Sequence, residues 1–139
     1  MTSTRILNKY QKSIGTDLQI VHSSKKGVKA EIFFDIVELS GFSKVFLAEK
    51  IFDISVKTVQ RYRNEKKSLN PRDSEIALKL MKLFAKGIEI FGSTSSFVRW
   101  LEKPSIGIGG VVPTSFLNTN TGIDLIEEEL IRIEYGALA

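Results

Sequence analysis

Between Asn70 and Gly92 the chain is written as one long helix, and that segment constrains the fold more than any other. Asn70 is placed to cap it, Pro71 takes its first position, Asp73 favours its positive end and Gly92 stops it. A helix of that length spans about 30 Å. Its inner stripe is Ile76, Leu80, Leu83, Phe84 and Phe91, with Lys79, Lys82 and Lys86 placed elsewhere.

Shorter helices are expected on both sides. Residues 30–40 give a broad apolar face of Ile32, Phe33, Ile36, Val37 and Leu39, with Gly41 as a stop. Ser43 starts a second helix through about Phe52. Asp53-Ile54 forms a tight turn, and Ser55 caps a third helix from Val56 to about Asn64. The chain breaks at Lys66-Lys67-Ser68-Leu69. After Gly92, residues 94–101 form a short helix anchored by Phe97, Trp100 and Leu101, with Trp100 as a core residue. The glycine-rich stretch Ile106–Gly110 reads as a turn between helices, since no strand precedes it and no Lys-Ser/Thr follows. A helical turn is expected at Ser115–Leu117, and a last helix over about 123–134 buries Ile123, Ile126, Leu130 and Ile133. Residues 1–29 show weak periodicity. Leu18-Gln19-Ile20-Val21 reads as a short strand or as part of a loosely docked arm. The fold class is all-α.

Composition narrows the chemistry. With no Cys and one His, the chain has no thiolate nucleophile, no disulfide and no cysteine zinc site. His22 alone does not make a metal site or a Ser-His-Asp triad. No cofactor and no metal are expected, and the chain is not read as an enzyme. No apolar run approaches the roughly 18–20 residues that span a bilayer, and the N-terminus lacks a signal-peptide core. A cytoplasmic protein without a membrane partner is expected. Charge is uneven: residues 1–29 carry six basic side chains against Asp17, whereas 71–139 carry seven against nine acids. A basic front and an acidic back point to two partners of opposite charge, or to solvated surface alone.

Ser43–Asn64 has helix-turn-helix spacing. At 100° per residue, Lys57, Gln60, Arg61 and Asn64 share one face of the third helix, and Val59 and Tyr62 turn inward. Arg and Lys pair with guanine, Gln and Asn with adenine, so the exposed set suits a major groove. Ser55 and Thr58 stand at its edge, and Arg63, Lys66 and Lys67 follow as backbone contacts. The same residues also fit a plain helical bundle with a basic surface helix.

Residues 40–139 resemble the Xre-type antitoxins of the Xre/MbcA/ParS group. The matching segments are Ile54 to Tyr62, Phe91-Gly92, Trp100-Leu101 before Pro104, Ile108-Gly109-Gly110 with Pro113, Thr119 to Gly122, and Arg132-Ile133-Glu134-Tyr135-Gly136. Leu47-Ala48 lies one residue further from Ser55 than the family pattern sets, so the first helix or the turn is lengthened. Asp53 stands where a small turn residue is common. The resemblance implies a homodimer that binds operator DNA at its own promoter. It also implies a RES-type, NAD-consuming toxin as partner, its active site covered by the antitoxin's C-terminal residues.

On that basis residues 1–29 are a basic N-terminal arm, 30–69 an Xre-like helix-turn-helix domain and 70–139 a toxin-binding and dimerisation domain. Arg132, Glu134, Tyr135, Gly136, Ala137, Leu138 and Ala139 are the toxin-binding candidates. Residues 122–139 hold five acids and one base, and such a tail could mimic an anion in a pyrophosphate pocket. Without the resemblance these acids read as a solvated helix face, with Glu128 and Arg132 as an i,i+4 pair. The alternative is a stand-alone dimeric helix-turn-helix transcription regulator.

Overall fold

The long helix is the centre of the molecule. In the computed structural model, which describes residues 2–137, the order is α1 (Thr2–Ile14), α2 (Asp17–Lys26), α3 (Glu31–Ser40), a π-helical turn (Phe46–Ile51), α4 (Val56–Asn64) and α5 (Pro71–Phe91). There follow α6 (Thr94–Leu101), two 3-10 turns (Ile106–Ile108 and Pro113–Phe116), α7 (Asn120–Arg132) and a closing π turn (Ile133–Ala137). No strand forms among the described residues; the only β pairings are isolated bridges, Lys29 with Ser68 and Ser105 with Val111.

Asn70 Oδ1 accepts the Asp73 backbone N–H at 2.7 Å, and Gly92 ends α5 in the left-handed region at φ 86. The expected stripe was too narrow. Ala77, Leu78 and Met81 are buried along with Ile76, Leu80, Leu83 and Phe84, so apolar contact covers more than half the circumference. Helices α1, α2, α3, α6 and α7 all pack on α5.

The N-terminal segment corrects the sequence reading. Leu18–Val21 is not a strand but the first half of α2, and the segment is not loosely docked. Ile6, Tyr10 and Ile14 recur at i, i+4 and i+8 and are buried, as is Ile20. Thr16 and Gln19 make a reciprocal capping box, with N···O distances of 3.1 and 3.0 Å, which starts α2 directly after α1. Ion pairs fasten α1 to α3: Lys9 reaches Glu31 at 3.1 Å and Asp35 at 2.9 Å, and Arg5 reaches Glu38 at 3.3 Å. The Tyr10 hydroxyl donates to Asp35. Burial, then that carboxylate, pushes the Tyr10 phenol well above its ordinary range.

Helix α6 lies on α5 at Gly87. A Cβ there would stand 2.4 Å from two Phe97 ring carbons, so only glycine admits the ring. Phe97 meets Phe84 edge-on at 5.0 Å and stacks with Phe91 at 5.9 Å and Trp100 at 6.2 Å. Trp100 is half-buried at the rim of this cluster rather than in the core. The glycine-rich stretch is the turn expected: the Ser105–Val111 bridge closes it, and Gly107 lies against the buried carboxylate of Glu129.

Helix α7 begins three residues earlier than expected. Thr119 Oγ1 accepts the Gly122 N–H at 3.0 Å, which sets the first helical residue at Asn120. Ile123, Ile126 and Leu130 are buried, and Ile133 only half so. Helices α5 and α7 run parallel and are laced by ion pairs in register: Lys79 with Asp124 at 2.5 Å, Lys82 with Glu127 at 3.7 Å, and Lys86 with Glu134 at 2.7 Å.

Candidate functional site

The first helix of the Ser43–Asn64 segment carries a π-helical turn over Phe46–Ile51. Ser43 Oγ accepts the Phe46 N–H at 3.0 Å and starts that helix. Its end is then wider than an α-turn: Phe52 N–H bonds the Leu47 carbonyl five residues back at 3.1 Å, and Ile54 N–H closes the end on the Ala48 carbonyl six residues back at 3.0 Å. A π turn takes in one residue without ending the helix. Leu47, Ala48 and Ile51 are buried along this turn. Asp53 sits at φ 55, the left-handed region, which explains why a small residue suits this place and why Asp is tolerated there.

Ser55 Oγ accepts the Thr58 N–H at 3.0 Å and donates to Thr58 Oγ1 at 2.8 Å, so both hydroxyls are engaged in starting α4. Val59 is fully buried and Tyr62 half-buried, the two inward positions the periodicity sets. Lys57, Thr58, Gln60, Arg61 and Asn64 line one open groove on the other side. Lys57, Arg61 and Asn64 are exposed; Thr58 and Gln60 are half-buried. No carboxylate of the described residues pairs with Lys57 or Arg61. Gln60 Nε2 donates to Asn64 Oδ1 at 3.1 Å. That bond leaves the Gln60 amide oxygen as an acceptor and the Asn64 amide N–H as a donor, the two kinds of group an adenine edge pairs with. Lys66 and Lys67 are exposed just past the helix end.

The C-terminal candidates divide. Arg132 Nε pairs with Glu129 at 2.7 Å, not with Glu128, and Glu134 pairs with Lys86. Pairing with Glu134 raises the Lys86 ammonium above its ordinary value against the opposing effect of burial. Four of the five acids of residues 122–139 are thus not a free anionic tail: Asp124, Glu127 and Glu129 of α7 and Glu134 of the closing turn have cationic partners within the chain. The spacing of Lys79, Lys82 and Lys86 against Asp124 and Glu127 carried this signal, unread because the two helices lie far apart in sequence. Tyr135, by contrast, is 81% exposed. A side chain added at Gly136 would meet nothing within 4 Å among the described residues. Ala137 closes the π turn, and Leu138 and Ala139 lie outside the described residues. Beside Tyr135 is an open pocket lined by Ile14, Ala85, Lys86, Ile131 and Glu134 among others. No metal-binding cluster of His, Cys, Asp or Glu and no helix long and apolar enough to cross a membrane occurs among the described residues.

Two family models match the chain in order. Residues 19–82 match the antitoxin Xre-like helix-turn-helix domain, and residues 86–136 match the antitoxin Xre/MbcA/ParS C-terminal toxin-binding domain. The first match ends and the second begins inside α5. No curated protein matches the chain.

Proposed function

As a chain that belongs to the Xre/MbcA/ParS-type antitoxins, this protein, we propose, neutralises a RES-type, NAD-consuming toxin with its C-terminal segment and represses its own operon. The observation that carries the first half is Tyr135, which stands 81% exposed in a turn whose root is held. Arg132–Glu129 and Lys86–Glu134 fix the backbone on either side of Ile133, so the aromatic that follows is presented at a set angle. A rigidly presented aromatic suits an anchor in a partner's pocket, because less freedom is lost on binding. In this reading Gly136, Ala137, Leu138 and Ala139, small or apolar residues, follow Tyr135 into the toxin's cleft.

In this reading Ser55 and Thr58 set the start of α4. Lys57, Gln60, Arg61 and Asn64 read the operator, and Lys66 and Lys67 hold its backbone. Residues 30–69 supply that surface, 70–139 the toxin and dimer contacts, and 1–29 added positive charge. The protein acts as a homodimer in the cytoplasm and does no catalysis of its own; the two matched families are generally non-enzymatic. The match over residues 86–136 favours this reading over a stand-alone regulator.

Removing residues 135–139 tests it. The truncated chain keeps the wild-type helical circular dichroism and operator shift but no longer rescues cells from the adjacent toxin. Rescue by the truncated chain would refute the tail mechanism, and loss of helicity would mean the tail packs for its own fold.

A further inference from the structure

Past the end of α4 the chain turns back, and a segment from the front of the sequence is clipped onto it. Ala30 N–H bonds the Lys67 carbonyl at 2.9 Å, and Leu69 N–H bonds the Val28 carbonyl at 2.7 Å. This clip brings Lys29 beside Arg63, Lys66 and Lys67 around one cleft. Four observations bear on the cleft's conformation and its positive charge. Lys66 sits at φ 55, a left-handed conformation that lysine rarely adopts. The Arg63 guanidinium lies 4.4 Å from the centre of the Phe34 ring, on which Lys44 also rests at 5.6 Å. Glu31, the one carboxylate lining the cleft, is already paired with Lys9 at 3.1 Å. Glu65 reaches Lys67 only at 4.0 Å, with both ends about half exposed.

We propose that this cleft grips a DNA backbone phosphate, with Lys29 as a contact contributed from ahead of the Ser43–Asn64 segment that carries the base-reading helix. The inference rests on the DNA-binding reading and adds a site to it. Lys29 Nζ donates to the Lys66 carbonyl at 2.9 Å, which sets its position and leaves two further N–H groups to give. Arg63 supplies a planar fork suited to phosphate oxygens. The groove of Lys57, Gln60 and Arg61 lies on the same helix, so a duplex seated there has its backbone within reach of the helix end. The contact is blind to sequence, and it makes binding more salt-dependent.

The test uses the full chain and two duplexes of equal length, one from the region upstream of its own coding sequence and one scrambled. Lys29→Gln removes the charge; Lys66→Asn removes it with a residue that tolerates the left-handed conformation. Each is expected to flatten the slope of log affinity against log salt by about 0.9, or about 3.5-fold between about 50 and about 200 mM. Each weakens both duplexes by the same factor, with wild-type circular dichroism, and Lys29→Arg keeps the wild-type slope. An unchanged slope in Lys29→Gln overturns the site even where Lys66→Asn flattens it, since Lys66 is a backbone contact of the DNA-binding reading in its own right. A loss confined to the upstream duplex overturns it too, since that would be base reading. A wild-type chain that binds neither duplex at low salt overturns the DNA-binding reading itself, and the site with it.

Discussion

Gly87→Ala is the substitution whose cost the structure sets most directly. The new methyl would stand 2.4, 2.4 and 2.5 Å from three Phe97 ring carbons, where carbon atoms ordinarily meet at about 3.5–4.0 Å. The ring must retreat by more than about 1 Å, into Phe84 and away from its stack with Phe91 and Trp100. Overpacking of this kind costs about 1–3 kcal/mol, and three contacts this short on a rigid ring put the site at the upper end. Alanine returns about 1 kcal/mol of helix propensity, leaving a net loss of about 2 kcal/mol. With an unfolding entropy of about 2.1 cal/mol/K per residue over 139 residues, the midpoint should fall by about 7 °C. Thermal denaturation followed by circular dichroism measures it. Phe97→Leu in the same background should recover part of the loss, a non-additivity that marks direct contact. A rise of about 3 °C, the bare propensity gain, would refute the argument and place α6 elsewhere.

Three further outcomes follow from the site and the fold. Arg61→Ala should weaken operator binding by about 1–3 kcal/mol and the scrambled duplex far less; unchanged operator affinity in both Arg61→Ala and Lys57→Ala would remove α4 from the interface. The full chain should sediment as two copies at micromolar concentration, matching half-sites about 34 Å apart or a multiple of that, and a clean monomer would count against the dimer. Tyr10 and Lys9 are both raised, so between their unfolded values of 10.0 and 10.5 and their folded ones the native state binds more protons. For Lys9 the Asp35 and Glu31 carboxylates outweigh burial, which alone would lower it. Stability from this pair is complete below about pH 10 and falls as pH rises. The Tyr10 phenolate absorbance should therefore appear only with the loss of helicity, and Tyr10→Phe should flatten the alkaline limb. A Tyr10 phenolate in the folded state would refute its burial against Asp35.

What the sequence made legible were the places where one side chain decides a backbone fate. Asn70, Ser55 and Ser43 cap helices because a short oxygen reaches the free N–H groups of the first turn, and that geometry needs no distant partner. Gly41 and Gly92 end helices in the left-handed region for an equally local reason. The exposed face of α4 followed from its angular spacing alone. What stayed hidden depended on residues far apart. The α1 stripe of Ile6, Tyr10 and Ile14, with only Leu7 beside it, is narrow and becomes a core only against α5, α2 and α3. Gly87 looks like a helix weakness until Phe97 is set against it. Asp124 and Glu127 of α7 read as an outward charge because nothing local pairs them with Lys79 and Lys82, some forty-five residues earlier. The extra residue before Ser55 was visible as a spacing, but not whether the turn or the helix would absorb it.

That last choice has a physical reason. In the turn, an added residue would rotate α4 about its own axis by changing the chain's entry, and the face carrying Lys57 and Arg61 would move with it. Within the first helix, a π turn widens the ring locally, and the bonds from Phe52 and Ile54 back to Leu47 and Ala48 close the end again. The burial of Leu47, Ala48, Ile51 and Val59 opposes the first outcome: rotating α4 would lift Val59 out of the core and carry a polar neighbour in. The cost of the second is confined to the wider hydrogen-bonded ring and one left-handed Asp53. Core packing thus places the irregularity in the helix that does not carry the candidate base contacts, and α4 keeps regular hydrogen bonding from Ser55 to Glu65.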